Sequence, residues 1–280
     1  MSVRLKLSSI VLMFVSLVIP VLLAGCGSSE AVKELTADDR FKHAKALYDD
    51  RDYLEAINEF TVITLQNQGS SVAPEAQYYL AECRFDRGEY LLAAFEYQVL
   101  RRNYPASPRV GDAQYKLGLC YYNLSPRSSL DQEYTRKAID EFQSFVEYYP
   151  QNQNVPDADA KIKELTIRLA KKQYDTARLY SVMEYYKAAL MSYDEVIEKY
   201  HDTEYAPLAY EGKIDLLMSR HHYREAKEEI DRFLAKNPNS VLRNRFETQA
   251  KTAEREIQLG NNVESGATPV QRPLPEPPQL

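Results

Sequence analysis

The sequence predicts an all-α fold: an α-solenoid of about five helix-turn-helix repeats, closed by a C-terminal capping helix. Three observations carry this expectation. The pattern Tyr-x-x-Ala recurs, ending at Ala56, Ala93, Ala189 and Ala226. Each alanine is followed four residues later by Phe60, Tyr97, Tyr193 or Ile230, then three residues on by Ile63, Leu100, Val196 or Phe233, which is the spacing of one helical face. Glycine is scarce, 9 in 280 residues, which argues against phosphate loops and against a β fold rich in tight turns.

The elements follow in chain order. Residues 1–25 read as an export signal: Arg4 and Lys6 precede an apolar run from Leu7 to Ala24, broken only by Ser8, Ser9, Ser16 and Pro20. The run ends at Leu23-Ala24-Gly25-Cys26 and polar residues follow, which resembles the lipobox of bacterial lipoproteins. Small residues before the cysteine fit the cleft of a signal peptidase, so Cys26 is the expected lipidation site, carrying a diacylglycerol. A plain transmembrane helix is the alternative, but the run is short for one. Residues 26–33 are then an N-terminal linker, and 34–260 the repeat array.

In four of the five repeats one residue of the first helix precedes the recurring alanine by a fixed interval: the small Ala44, Ala81 and Ala177, and Ile214 in repeat five. The alanine marks where the two helices of a repeat cross, and a larger side chain would push them apart. Repeat three keeps Ala138, Phe142 and Phe145 but lacks the leading tyrosine, and its first-helix residue, Gly118, lies farther away. The extra residues, Asn123 to Tyr134, read as a polar insertion between the two helices. Asp157 to Lys172 lengthens the first helix of repeat four. Pro105, Pro150 and Pro238 stop second helices, because proline cannot continue one. Leu242, Phe246, Ala250, Ala253 and Ile257 form the stripe of the capping helix. Residues 261–280 hold five prolines between Pro269 and Pro278 and read as a disordered tail.

The pattern is similar to the tetratricopeptide repeat, though the recurring alanines lie farther apart than the usual 34 residues or so. A lipobox, five irregular repeats and an insertion in the third together resemble the BamD family, lipoproteins of the outer-membrane β-barrel assembly machinery. Tyr90 to Pro105, Ala138 to Pro150 and Ala188 to Thr203 carry the likeness. The resemblance implies a scaffold anchored in the outer membrane by its N-terminal lipid, with its body facing the periplasm. Its N-terminal repeats would receive C-terminal targeting peptides of unfolded barrel proteins. Its C-terminal repeats, around Tyr185 to Tyr200 and Tyr210 to Phe233, would contact the periplasmic domains of the central barrel component. The proline-rich tail departs from that family's pattern. A periplasmic scaffold for cell-wall synthesis or division proteins is the alternative. Gly27, where inner-membrane retention would want aspartate, favours the outer membrane.

For the chemistry, net charge is -6 and falls further once Arg4 and Lys6 are removed, so no basic face for nucleic acid is expected. No nucleophile with a base, phosphate loop or ligand spacing is found, so neither enzyme activity, metal nor cofactor is expected. His221-His222 read as an interhelical turn, and the charged stretch Arg224 to Arg232 as a solvated face. Cys83 and Cys120 occupy equivalent inward positions in adjacent repeats and are expected to be buried free thiols. The candidate peptide groove is lined by first helices at about two-turn spacing: Phe41 and Tyr48, Tyr78 and Phe85, Tyr115 and Tyr122. Lys45, Glu82 and Arg178 would tune its charge. Packing between helices is the competing reading of the same aromatics.

Overall fold

The computed structural model describes residues 35–263, and among these every regular element is a helix. Five helix pairs follow one another: α1 (Ala37–Asp49) with α2 (Tyr53–Gln66), α3 (Ala73–Asp86) with α4 (Tyr90–Asn103), α5 (Val110–Leu124) with α6 (Glu133–Tyr148), α7 (Val155–Val182) with α8 (Tyr186–Lys199), and α9 (Tyr205–Ser219) with α10 (Tyr223–Lys236). A last helix, α11 (Arg243–Gln258), covers α10. Residues 1–25, Cys26, the linker to 33, and all but the first residues of the C-terminal tail lie outside the described residues.

The repeating alanines are the crossing points. Ala56, Ala93, Ala138, Ala189 and Ala226 are all fully buried, as are Ala44, Ala81 and Ala177 opposite them. In repeat three the opposing residue is Gly118, where an added Cβ would stand 2.6 Å from the Phe142 ring. Gly212 makes the same concession to Tyr193. Phe60, Tyr97, Phe142, Tyr193 and Ile230 fill the space one turn beyond each alanine and are buried. Phe233 closes the last repeat edge-to-face on Phe246 of α11, with centroids 4.8 Å apart.

The turns repeat as regularly as the core. Four first helices end with one residue in the left-handed region: Arg51 (φ 65), Gly88 (φ 74), Glu184 (φ 62) and His221 (φ 60). The next amide then reaches back to the last turn, as Asp52 N to Leu47 O at 2.8 Å and Glu89 N to Arg84 O at 2.9 Å. These are Schellman closures, which satisfy otherwise orphaned carbonyls. Only one of the four uses the glycine that tolerates this conformation best.

Repeat three replaces that turn with its insertion, which the structure shows to be shorter than Asn123 to Tyr134 because helices claim both ends. Gln132, buried, donates to the carbonyls of Arg127, Leu130 and Asp131. From the lengthened α7, Arg168 Nη1 reaches Ser125 Oγ at 2.7 Å and Lys172 Nζ reaches Ser129 O at 3.1 Å. The loop is therefore held from within and from the following repeat. The stretch Arg224 to Arg232 is not solvated throughout. Glu229 is buried and pairs with Lys213 at 2.6 Å, which also holds Asp194 at 2.6 Å. A charge placed on that helix face is buried because α9 packs against it with a lysine.

Candidate peptide-binding face

The six aromatic residues of the candidate groove lie where successive first helices meet, and each has a specific setting. Phe41 on α1 packs on Phe60 and Tyr79. Tyr48, further along α1, sits edge-to-face on Tyr79 at 5.2 Å and donates its hydroxyl to Asp86 of α3 at 3.0 Å. Tyr78 on α3 is only 7% exposed, between Tyr97 and the Arg109 guanidinium. Phe85 stays half-buried under Lys116 Nζ, 4.7 Å from its ring centre. Tyr115 on α5 rests on Phe142 and Phe145 and donates to Asp157 of α7 at 2.5 Å. Tyr122 donates to Glu164 at 2.7 Å, with Lys161 Nζ 4.7 Å over its ring.

A common device emerges. Tyrosine hydroxyls of one first helix bond carboxylates of the next, and cations of the next helix lie over aromatic rings of the one before. Such contacts couple a hydrogen bond to a cation–π attraction of about 0.5–2 kcal/mol. Phe41, Tyr48, Phe85, Tyr115 and Tyr122 are half-buried, so each both packs and presents an edge to solvent. Tyr78 supports this seam from beneath. Burial, then Asp86 and Glu82, push the Tyr48 hydroxyl well above the usual tyrosine range. For Tyr115 burial comes first and Asp157 adds to it. Both hydroxyls therefore stay protonated donors at neutral pH.

Two further aromatic residues of first helices, the first of them on this face and the second turned toward second helices, do not stand out in the repeat pattern. Tyr79 is the hub of the N-terminal cluster: it stacks on Phe60 at 5.9 Å, touches Phe41, Tyr48 and Tyr78, and has Lys45 Nζ 4.9 Å from its ring centre. Its position next to Tyr78 is the signal the sequence offers. Tyr121 stacks on Tyr134 at 6.1 Å beside Lys137. Glu82, expected along the groove, is instead buried, where it accepts from the Tyr97 hydroxyl and from Lys116 at 2.8 Å. Arg178 lies 6.0 Å from the Tyr174 ring centre.

Cys83 and Cys120 are free and buried. Burial pushes each thiol up to about 12, which leaves them neutral and unreactive at ordinary pH. Among the described residues no group of His, Cys, Asp and Glu is placed to hold a metal ion, and no helix is long and apolar enough to cross a membrane.

Comparison with known proteins gives the chain its relatives. It is 26% identical over 226 residues to the outer membrane protein assembly factor BamD of Rickettsia prowazekii (strain Madrid E), covering 80% of this chain and 90% of that one. Among solved structures, the TPR2AB domain of yeast Sti1 in complex with pHSP90 aligns at 18% identity and a TM-score of 0.39, over 80% of this chain and 84% of that one. A thermophilic tetratricopeptide repeat protein of Thermus thermophilus aligns at 19% identity and a TM-score of 0.34, over 76% of this chain and 98% of that one. A family model described as YfiO, outer membrane lipoprotein, matches residues 33–220. That match spans well over half of the sequence, and the chain belongs to the YfiO family of outer membrane lipoproteins, the BamD type.

Proposed function

We propose that this protein is a lipid-anchored scaffold for the assembly of outer-membrane β-barrel proteins, without enzymatic activity of its own. Cys26 carries the anchor after removal of residues 1–25, and 26–33 links it to the repeats. The first three repeats bind targeting peptides of unfolded barrel proteins, and the last two bind the periplasmic domains of the central barrel component. Membership of an outer membrane lipoprotein family and likeness to a protein named as an assembly factor support the setting.

The observation that carries the peptide reading is the half-exposed aromatic seam from Phe41 to Tyr122 on first helices. An extended peptide ending in aromatic residues finds rings to pack on. Its backbone finds charged partners in Lys45, Lys116 and Lys161, already poised at those rings.

Truncating Tyr78 tests folding rather than binding, since its ring is buried. The informative variant joins Phe85→Ala with Tyr122→Ala. A synthetic peptide with a C-terminal aromatic strand should bind this variant at least ~5-fold more weakly, as expected for losing two contacts of about 0.5–1.5 kcal/mol each. Helicity by circular dichroism should be retained. Equal affinity with intact helicity removes the groove from the mechanism.

A further inference from the structure

The face of α7 that closes the aromatic seam continues beyond it. Asp157, Glu164, Lys171 and Arg178 follow one another at seven-residue intervals along this 28-residue helix. Seven residues are about two turns, so the four lie on one face. The first two are the carboxylates that accept the hydroxyls of Tyr115 and Tyr122. The last two are cations.

The cations of the seam itself already have partners. Lys45 pairs with Asp49, Lys116 with Glu82 at 2.8 Å and Lys161 with Asp157 at 3.3 Å. Lys171 pairs with Asp175 at 2.8 Å. Arg178 differs. It is exposed, and among the described residues its guanidinium has neither an ion pair nor a hydrogen bond; its one aromatic neighbour is Tyr174, 6.0 Å away. Arg178 follows Ala177 as Lys45 follows Ala44, the place that sets Lys45 over the rings of Tyr48 and Tyr79. Tyr174 precedes Ala177 as Phe41, Tyr78 and Tyr115 precede the small residues of their own helices. It is half-buried and packs on the half-buried Tyr205 of α9, with ring centres 5.7 Å apart. Leu208, one turn along α9, is 38% exposed.

An unpaired guanidinium beside two partly open rings matches a chain end: a terminal carboxylate with an aromatic side chain next to it. The planar guanidinium bonds a carboxylate through two N–H groups at once, and the rings offer the adjoining side chain a packing surface. The spacing along α7 fixes how such a peptide would lie. Glu164, which holds the Tyr122 hydroxyl, precedes Arg178 by 14 residues, a rise of about 21 Å at about 1.5 Å per residue. An extended chain covers that in about six residues, at about 3.3 Å each. A peptide that ends at Arg178 therefore lays its earlier residues on Tyr122 and then on the seam toward repeat one.

Resting on the reading of the seam as a peptide site, we propose that Arg178 receives the terminal carboxylate of the bound targeting peptide, whose last aromatic side chain packs against Tyr174 and Tyr205. Titration of the full chain in mild detergent with two synthetic peptides tests this. Both carry the same strand ending in phenylalanine; one closes in a free carboxylate, the other in an amide. The acid should bind at least ~3-fold more tightly than the amide, the scale of a bidentate pair open to solvent. Arg178→Gln should bring the acid down to the amide and leave the amide where it was, with helicity retained. Arg178→Lys should keep part of the difference. Equal binding of acid and amide to the natural chain overturns the proposal. So does a difference that Arg178→Gln preserves, which would give the carboxylate to another cation. The seam is read separately by Phe85→Ala with Tyr122→Ala. A loss of binding there, with acid and amide alike, keeps the seam and removes Arg178. A difference carried by Arg178, with no loss there, keeps the carboxylate site and removes the seam. Binding of neither peptide removes both.

Discussion

Gly118 shows how narrowly one residue can be fixed by its neighbour. Alanine is the better helix former by about 1 kcal/mol, and the equivalent place is alanine in three other repeats. Yet a methyl group there would meet the Phe142 ring at 2.6 Å. Gly118→Ala should therefore destabilise the protein by about 1–3 kcal/mol, the usual cost of overpacking. Thermal denaturation reads this directly, and a raised melting temperature would show that the ring yields. At this scale the sequence is legible where an apolar residue keeps its period: every recurring alanine and the large apolar residue after it is buried as expected. It is illegible where a charge is buried by a partner distant in sequence. Nothing around Glu229 or Glu82 announces that Lys213 or Lys116 will arrive opposite it. Tyr79 is hidden for a related reason: with Tyr78 beside it, two adjacent rings each claim a face, and the period alone does not assign the hub.

The insertion of repeat three and the long α7 are two halves of one element. Repeat three places a loop from Ser125 to Gln132 between α5 and α6, and α7 is 28 residues long, which brings Arg168 and Lys172 beside that loop. Arg168→Ala removes the bonds to Ser125 and Pro126. Amides of residues 125–132 should then exchange faster by ~10-fold or more, since hydrogen bonds to a charged group contribute about 1.5–3 kcal/mol. Exchange in α2 should stay as it was, and an unchanged loop would mean that Gln132 alone holds it. The length of α7 and the position of the insertion are both readable as departures from the repeat. The loop's order is not, because Gln132 and Ser125 read as solvated polar residues until the carbonyls and the guanidinium around them are known.

Across the whole molecule, tyrosine buried against carboxylate is the dominant electrostatic theme. Burial, with Glu82 next, pushes the Tyr97 hydroxyl well above its ordinary value, and Tyr48 and Tyr78 are raised chiefly by burial too. A group raised in the folded state contributes stability that is complete below its unfolded pKa, about 10 for tyrosine, and that is lost as pH rises beyond it. Stability to urea should be level from neutral pH to about pH 10 as far as these groups are concerned, then fall steeply. Tyr97→Phe should flatten that fall while costing some stability at neutral pH. A fall that is the same in both proteins would place the alkaline transition elsewhere.

The packing pattern described for the repeats also bears on how such a protein comes into being. Most helix contacts are with neighbours in sequence, and the others join helices of adjoining repeats, as between first helices or from Arg101 of α4 to Glu141 of α6. Chains with such local contacts fold fast, and units of this kind stack one after another without waiting for a distant partner. Synthesis releases a chain amino end first. Repeat one can therefore close as soon as repeat two has followed it, and the growing stack seals each newly arrived apolar face with the next. Only α11, arriving last, is needed to cover the final one, so the interval in which sticky surface lies open is about one repeat long, however many repeats the chain contains.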